Sequence, residues 1–129
     1  MRLRPTLRRT GGSSQPEVSL ATTVGSLELR SVLCTASGTA GHGAELAPYV
    51  DLASLGAMVV KSLSAEPWAG NPAPRVLEAT AGMINSVGLQ GPGVEAWLEH
   101  ELPMLLATGA SVVASIWGHT VDDFARAAA

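Results

Sequence analysis

Residues 55–62 read Leu-Gly-Ala-Met-Val-Val-Lys-Ser, and they carry the strongest indication of the fold class. Four consecutive apolar residues, Ala57–Val60, stand between a glycine and a lysine. A short continuous apolar run with such limits predicts a strand that is buried on both faces. Strands of this kind are typical of parallel sheets, because the crossover helices cover the two faces of the sheet. The chain is therefore expected to be an α/β protein.

The residues on either side of this strand predict further strands and helices. Before it, we expect a small hairpin over Val18–Leu29, a strand over Val32–Thr35 that ends at Ser37 and Gly38, a helix over Ala44–Tyr49, and a helical turn or loop over Val50–Leu55. After it, we expect a long loop over Ser64–Pro74, an extended segment over Arg75–Ala79, a helix over Val94–Ala107, a strand over Ser111–Ile116, and a helix over Thr120–Ala129. This alternation of strands and helices is the order of consecutive βαβ units.

The helix over Val94–Ala107 has the clearest pattern. Its apolar stripe predicts a buried face, while Glu95 and Glu99 are expected to face solvent; the stripe comprises Val94, Trp97, Leu98, Leu102 and Leu105. Pro103 is expected to kink the helix, and Gly109 is expected to end it. Thr120 is a candidate N-cap for the last helix.

Charge is distributed unevenly along the 129 residues. Arg2, Arg4, Arg8 and Arg9 are four of the eight basic residues, so the chain from Thr10 onward has four basic and eleven acidic residues, a net charge of −7. An acidic body lacks the basic stripe that nucleic-acid binding requires. Residues 1–17, rich in Arg, Ser and Gly, are expected to be a disordered tail, and residues 18–129 a folded domain.

Residue types and spacings also limit the chemistry of the chain. With one cysteine, Cys34, no internal disulfide can form, and its position predicts a small buried strand residue in a protein of the reducing cytoplasm. No apolar run reaches the roughly 18 residues that a membrane span requires. The histidines, His42, His100 and His119, lack metal-ligand spacing, so no metal site is expected.

Residues 81–93, Ala-Gly-Met-Ile-Asn-Ser-Val-Gly-Leu-Gln-Gly-Pro-Gly, predict a ligand loop. The Asn85 side chain carries both a hydrogen-bond donor and an acceptor. Gly88 has no Cβ, so a flat ligand could approach its backbone. Pro92 suits the first turn of the helix that follows. Together these features suit a planar, hydrogen-bonding heterocycle.

Polar residues follow the predicted strands where a parallel sheet would place a site. Lys61 and Ser62 end the central strand, and Ser37 and Gly38 end the preceding one. Taken alone, Lys61 could be an ordinary lysine at the edge of the sheet, with its stem on apolar surface. The serines could equally be turn residues, and Asn85 could cap the next turn.

Four blocks of sequence together resemble the class 1 dihydroorotate dehydrogenases, flavin enzymes of pyrimidine synthesis. The blocks are residues 35–39, 55–62, 66–76 and 81–93, and their order and spacing agree with the family from about Ser19 to the last residue. The resemblance implies a (β/α)8 TIM barrel, which typically needs about 250 residues. The chain is therefore expected to be the N-terminal part of such a barrel, with about three strand–helix units.

The resemblance also implies roles for individual residues. It assigns FMN binding to Ser37, Gly38, Lys61, Ser62 and Ser115, and binding of dihydroorotate or orotate to Lys61, Asn85, Ser86, Val87, Gly88 and Leu89. Ser115 stands where the family commonly has an asparagine, and Ser31-Val32 stand where it usually has Asn-Pro. The family's catalytic base is a Cys or Ser on a later loop, so no catalytic residue is assigned within this chain.

The function that the resemblance implies is FMN-dependent oxidation of dihydroorotate to orotate in UMP biosynthesis. The details of the loops resemble class 1B, which uses a partner subunit carrying FAD and an iron–sulfur cluster, with NAD as the acceptor. Fumarate-using class 1A and a related pyrimidine-reducing flavin barrel are the alternatives. The full-length protein would form a homodimer or heterotetramer. The rival interpretation is an inactive truncated fragment, or a split half-barrel that binds a complementary chain.

Overall fold

The computed structural model describes residues 18–129. The predicted disordered tail, residues 1–17, lies outside the described residues. The strands are β1 (Thr22–Val24), β2 (Leu27–Leu29), β3 (Met58–Val59), β4 (Val76–Ala79), β5 (Gly82–Asn85) and β6 (Val112–Val113). The helices are a 3-10 turn (Leu52–Ser54), α1 (Val94–Ala96), a π-helical turn (Trp97–Glu101), α2 (Leu102–Ala107) and α3 (Val121–Ala128).

A short parallel sheet organises the described residues. β3 pairs in parallel with β6, Met58 opposite Val112, and the pairing continues beyond the strands as a parallel bridge between Leu63 and Ile116. On the other side, Cys34 forms a parallel bridge with Ala57. The predicted central strand is confirmed as β3 and the predicted strand over Ser111–Ile116 as the shorter β6, whereas the predicted strand over Val32–Thr35 forms only the single bridge at Cys34. Residues 18–129 form an α/β unit with parallel strands and no closed barrel.

The core lies between this sheet and the long helical segment. Met58, Val60 and Leu63 of the central strand and Leu105 of α2 are fully buried, and Trp97 packs against them. The Trp97 indole N–H donates a 2.6 Å hydrogen bond to the carbonyl oxygen of His42. On one face of the central strand Met58 and Val60 are fully buried, and on the other Ala57 is buried and Val59 half-buried, so most of the apolar run is covered.

The helical segment begins and ends where predicted, but it is not a regular α-helix throughout, because a π-helical turn interrupts it. The segment begins after its N-cap, Gly93, whose φ of 85° is not helical. Pro92 therefore lies before the cap and not in the first turn as predicted. The predicted kink takes the form of the π-helical turn that precedes Pro103. Pro103 has no N–H to donate to the carbonyl four residues back, and the backbone widens there.

One residue of the predicted apolar stripe is exposed. Trp97 and Leu105 are buried as expected, Leu102 packs against the core, and Glu95 and Glu99 are exposed. Leu98, however, is 51% exposed. The core therefore covers a narrower face of the helix than the stripe predicted.

Two predictions for the first half of the described chain have different outcomes. The hairpin is confirmed, since β1 pairs antiparallel with β2. The predicted helix over Ala44–Tyr49 is wrong, because the segment forms hydrogen-bonded turns such as Ala47 N–H to the Ala44 carbonyl. Pro48, inside this segment, lacks the N–H that a regular helix would use.

Cys34 is exposed, which contradicts its predicted burial. It lies in a segment whose single bridge to Ala57 leaves the other side of the backbone unpaired, and the neighbouring Val32 and Leu33 are also exposed. A residue at the edge of a sheet has packing partners on one side only. Its sequence environment resembles that of a core strand, but its place in this unit is an edge.

The second half contains one hairpin that was only partly predicted. The extended segment over Arg75–Ala79 is confirmed as β4, but its antiparallel partner β5 was not predicted. The turn between them, Thr80-Ala81, lacks the Asn-Gly or Asp-Gly pair that marks two-residue hairpins. Gly109 ends α2 with φ 78°, as expected.

The predicted N-cap of the last helix is confirmed. The Thr120 hydroxyl accepts from the Asp123 N–H, and the Asp123 carboxylate accepts from the Thr120 N–H, which is a capping box. These hydrogen bonds, with the Thr120 side chain as the largest contributor, hold the pKa of Asp123 below its ordinary value. α3 is also tied to the long loop by an ion pair of 3.0 Å between Arg126 and Glu66.

The Leu105→Ala substitution should lower the free energy of unfolding by about 3 kcal/mol, since it leaves a cavity at a fully buried position. Leu106→Ala is the matched control, because Leu106 is the next residue of α2 and is 54% exposed. Urea unfolding of both variants checks this. Equal losses of stability would contradict the packing described here.

Candidate functional site

Three serine hydroxyls form a row across the carboxyl ends of the parallel strands. Ser62 Oγ lies 3.1 Å from Ser37 Oγ and 2.8 Å from Ser115 Oγ. Each serine follows a different strand, and parallel strands present their carboxyl ends at the same edge of the sheet. The three side chains, predicted separately along 79 positions of sequence, therefore meet at one place.

Lys61 and Gly38 lie beside this row. The Lys61 N–H donates to the carbonyl of Gly41 at 2.9 Å, which ties the end of the central strand to the turn after the first. Gly38 has φ 83°, and a Cβ placed there would lie 3.9 Å from Lys61 Cγ and 4.0 Å from Lys61 Nζ. All five residues predicted to bind the flavin are thus neighbours in the structure. We call them the strand-end cluster (Ser37, Gly38, Lys61, Ser62 and Ser115).

A turn on one side of the cluster carries a histidine and a glutamate. The Glu45 carboxylate accepts hydrogen bonds from the N–H groups of His42 (3.1 Å) and Gly43 (2.8 Å). Burial lowers the pKa of His42, and the positive charge of Lys61 lowers it further. The nearby carboxylates of Glu45 and Glu101 act in the opposite direction on the pKa of His42 but do not outweigh these two effects. The His42 Nε2 atom is buried and has no hydrogen-bond partner within residues 18–129.

The loop predicted to bind substrate, residues 85–89, packs on the long loop before β4. The Ser86 N–H donates to the Arg75 carbonyl at 2.8 Å, and Asn71 donates through its backbone to the Val87 carbonyl at 3.0 Å. The Asn71 amide side chain also donates to Ser86 Oγ at 2.8 Å. These contacts give residues 86 and 87 a defined conformation without a ligand.

Gly88 has a structural reason to be glycine. Its φ is 79°, and a Cβ there would lie 2.7 Å from the backbone nitrogen of Asn71. A side chain at this position would collide with the loop that it packs on. The absence of a Cβ, predicted to admit a ligand, is also needed for packing within the protein.

The structure brings one end of this loop to the strand-end cluster and leaves the other end apart. A Cβ on Gly91 would lie 3.3 Å from His42 Nε2 and 3.9 Å from the Ser62 carbonyl, so the loop passes close to the cluster there. Asn85 is exposed at the end of β5, where it pairs with Val76. It lines a separate cavity of about 200 Å³ together with Pro74 and Ile84. Asn85 therefore lies on the hairpin and not in the row of serines.

Three aromatic side chains near the loop were not predicted as site residues. Trp68, Trp117 and His119 contact one another edge to face, with ring centroids 5.8 Å apart for the two indoles and 5.2 Å and 5.0 Å apart for His119 with each of them. The sequence offers two signals for these residues. Trp68 lies in a loop rich in Pro and Gly, and Trp117 follows a predicted strand. We call these residues the aromatic triad.

The largest cavity described lies between the loop and the turn that contains His42. Its volume is about 780 Å³ and it is open to solvent. His42, Trp68, Arg75, Gln90 and Glu101 are among its lining residues. Arg75 donates to Gln90 Oε1 at 2.7 Å, so its guanidinium is already engaged. The cavity therefore adjoins Gln90 and Gly91, which follow the loop of residues 85–89, and the turn that contains His42.

Comparison with known proteins decides the family. A model of dihydroorotate dehydrogenase matches residues 19–129. The chain belongs to the dihydroorotate dehydrogenase family. This family of oxidoreductases was the one predicted from the four blocks of sequence, and that prediction is confirmed.

Several relatives carry the same name, "Dihydroorotate dehydrogenase B (NAD(+)), catalytic subunit". The protein from Desulforudis audaxviator is 52% identical over 112 residues, which are 87% of this chain and 36% of the relative. That from Geobacter sp. is 44% identical over 115 residues (89% and 37%), and that from Thermoanaerobacter pseudethanolicus is 49% identical over 108 residues (84% and 36%). The chain thus spans little more than a third of the length of these relatives, in their N-terminal part.

The described part of the chain contains neither a candidate membrane-spanning helix nor a cluster of metal-ligating side chains. Within residues 18–129, no helix has the length and apolar character needed to cross a membrane. In the same range, no three His, Cys, Asp or Glu side chains converge as a metal site would require.

The turn beside Lys61 should give the protein a pH-dependent stability. Burial alone would raise the pKa of Glu45, but the hydrogen bonds from its own N–H and from those of Gly43 and His42 lower it below its ordinary value. The folded state thus binds the Glu45 proton more weakly than the unfolded state. This stabilisation is complete above the ordinary glutamate pKa of about 4.3 and is lost as the pH falls through the lower pKa of the folded state.

The Glu45→Gln substitution should therefore reduce the acid sensitivity of folding below about pH 4.3. Thermal unfolding of the two proteins between neutral and acid pH measures this. Glu95→Gln, on the exposed side of α1, is the control that changes the net charge equally. A Glu45→Gln protein with the same acid dependence as the parent would contradict the role of these hydrogen bonds.

Proposed function

We propose that this chain is part of the catalytic subunit of a class 1B dihydroorotate dehydrogenase, which oxidises dihydroorotate to orotate with FMN in pyrimidine biosynthesis. The observation that carries the proposal is the family match over residues 19–129. The names of the relatives, which specify the B type and NAD(+), support the choice of class 1B over fumarate-using class 1A.

The proposal includes a (β/α)8 barrel whose first three strand–helix units are supplied by residues 18–129. The parallel order of the segments at Cys34, β3 and β6 supports this, because consecutive barrel strands are adjacent and parallel. The position of the strand-end cluster supports it further. In such barrels, active sites form at the carboxyl ends of the strands.

The strand-end cluster has the chemistry to bind FMN. Its three hydroxyls can donate to or accept from the polar edge of the flavin ring, and Gly38 leaves room for the ring because it has no side chain. When bound, FMN supplies the acceptor for the hydride of dihydroorotate. The Lys61 ammonium provides a fixed positive charge, which favours the negative charge that develops as the flavin is reduced.

Lys61 and the loop of residues 85–89 are proposed to bind the substrate. Dihydroorotate and orotate carry a carboxylate, which can form a charge-assisted hydrogen bond with Lys61. The amide of Asn85 suits the pyrimidine edge, with donor and acceptor from one side chain. Ser86, Val87, Gly88 and Leu89 are proposed to supply backbone groups and one wall. The exposed position of Asn85 means that this contact requires the hairpin to approach the strand ends.

The base that removes the substrate proton is not assigned to any of residues 18–129. Cys34 lies in the first strand segment and not on a loop beyond β6. The proposed partner is an electron-transfer subunit that carries FAD and an iron–sulfur cluster and passes electrons to NAD, within a homodimer or heterotetramer. We propose a cytoplasmic location, which the single cysteine of the chain favours.

The second candidate function is an inactive fragment, or a half-barrel that binds a complementary chain. The exposed edge favours it, because Val32 and Leu33 are 58% and 60% exposed beside the unpaired segment at Cys34. Unpaired strand edges and apolar patches are sites of association. Absorbance of the purified protein separates the two functions. Flavin near one equivalent supports the enzyme, and a colourless protein that forms a complex with the remaining barrel units supports the alternative.

The Lys61→Met substitution should weaken the binding of orotate to the flavin-loaded protein by at least about tenfold, because a charge-assisted hydrogen bond is lost. Titration of the flavin spectrum with orotate measures the dissociation constant. Arg30→Met is the matched control, since it removes one positive charge from an exposed side chain that, within residues 18–129, donates only to the Ala53 carbonyl, away from the loop. Unchanged orotate affinity in Lys61→Met would count against the proposed role of Lys61.

A further inference from the structure

We propose that Trp68 is a positioning residue that sets the conformation of the candidate substrate loop around Leu89. This inference rests on the proposed function for its consequence, which is orotate affinity. The effect of Trp68 on the conformation of the loop depends only on contacts within this chain.

The hydrogen bonds of Trp68 enclose Leu89 on both sides. The indole N–H donates to the carbonyl of Gly88 at 2.9 Å, immediately before Leu89. The backbone of Trp68 exchanges two hydrogen bonds with Gly91, each 2.9 Å, shortly after it. One residue of the long loop thus makes three hydrogen bonds to the segment 88–91.

Leu89 has a conformation that needs such support. Its φ is 58°, in the left-handed region, and it is the only residue other than glycine with positive φ within residues 18–129. Its Cβ makes this conformation unfavourable, because it lies too close to the following carbonyl oxygen. A residue persists there only when its surroundings determine the backbone on both sides. The bonds from Trp68 to Gly88 and Gly91 meet that requirement.

The aromatic triad fixes the direction of the indole. Trp68 is 42% exposed, so burial alone does not hold its ring. Trp117 and His119, which follow β6, contact the ring edge to face. Offset and edge-to-face contacts of this kind favour one ring orientation. The loop of residues 85–89 is therefore linked through Trp68 to the end of the third parallel strand.

For function, the hydrogen bond from Trp68 would pre-organise the loop before the substrate binds. Gly88 and Leu89 are proposed to supply a backbone group and a wall for the substrate, and their positions depend on the Trp68 indole. A loop already in its binding conformation loses less conformational freedom when a ligand binds. Without the indole N–H, the loop should sample other conformations, and the ligand must then order it.

The test is Trp68→Phe in the flavin-loaded protein, which removes the indole N–H and keeps an aromatic ring. Hydrogen exchange of the peptide containing residues 86–91 should become about fivefold faster, the change expected for one lost hydrogen bond. The orotate dissociation constant, from the flavin spectrum, should rise by a similar factor. The midpoint of global unfolding reports whether the effect is local.

Trp117→Phe is the matched control, because the Trp117 Nε1 atom has no hydrogen-bond partner within residues 18–129. It should leave the exchange of residues 86–91 nearly unchanged. Adding Leu89→Asn to Trp68→Phe should restore slow exchange, since asparagine tolerates the left-handed region better than leucine. Exchange that stays fast in this double variant would overturn the link to Leu89.

The remaining outcomes separate this inference from the proposed function. Equal acceleration of exchange in Trp68→Phe and Trp117→Phe would overturn it, because ring packing would then determine the loop. Unchanged exchange and affinity in Trp68→Phe would overturn it while the proposed function stands. A parent protein that binds no orotate would refute the proposed function, and the exchange data would still decide the role of Trp68.

Discussion

The rest of the structure depends on the burial of one strand. Met58, Val60 and Leu63 have no exposed surface, and they can be covered only if both sheet neighbours and the helical segment 94–107 are in place. The hydrogen bonds from Met58 to Ser111 and from Leu63 to Ser115 fix the third strand in register. Burial of the apolar run thus determines both the core and the alignment of the strand ends.

The alignment of the strand ends has a direct chemical result. Because the strands are parallel, their last residues lie at one edge of the sheet, and the row of Ser37, Ser62 and Ser115 forms there. Lys61, the next residue after the buried run, stands beside the row with its charge close to His42. The same residues that end the hydrophobic run thus begin the polar site. A shift of register by one residue would move these side chains to the opposite face.

The loops differ from the strands in what stabilises them. Residues 85–91 include no buried residue, and their conformation depends on hydrogen bonds with Asn71, Arg75 and Trp68. Such a segment opens more easily than the core. A loop that must admit and release a small molecule benefits from this balance. The left-handed Leu89 indicates that the loop conformation is imposed by neighbours and not by its own preference.

The central strand, the parallel strand β6, the limits of the long helix, the Thr120 cap and the family could all be predicted from the sequence. Each of these depends on local pattern or on motifs read along the chain. The ends of the predicted strands also pointed to Ser37, Gly38, Lys61 and Ser62, whereas Ser115 was named only because of the family resemblance. Only the tertiary structure decided the exposure of Cys34 and Leu98, the turns at 44–49, the pairing of β5 and the role of Trp68. These depend on which surfaces lie opposite one another, and contacts between residues distant in sequence leave no periodic signal in it.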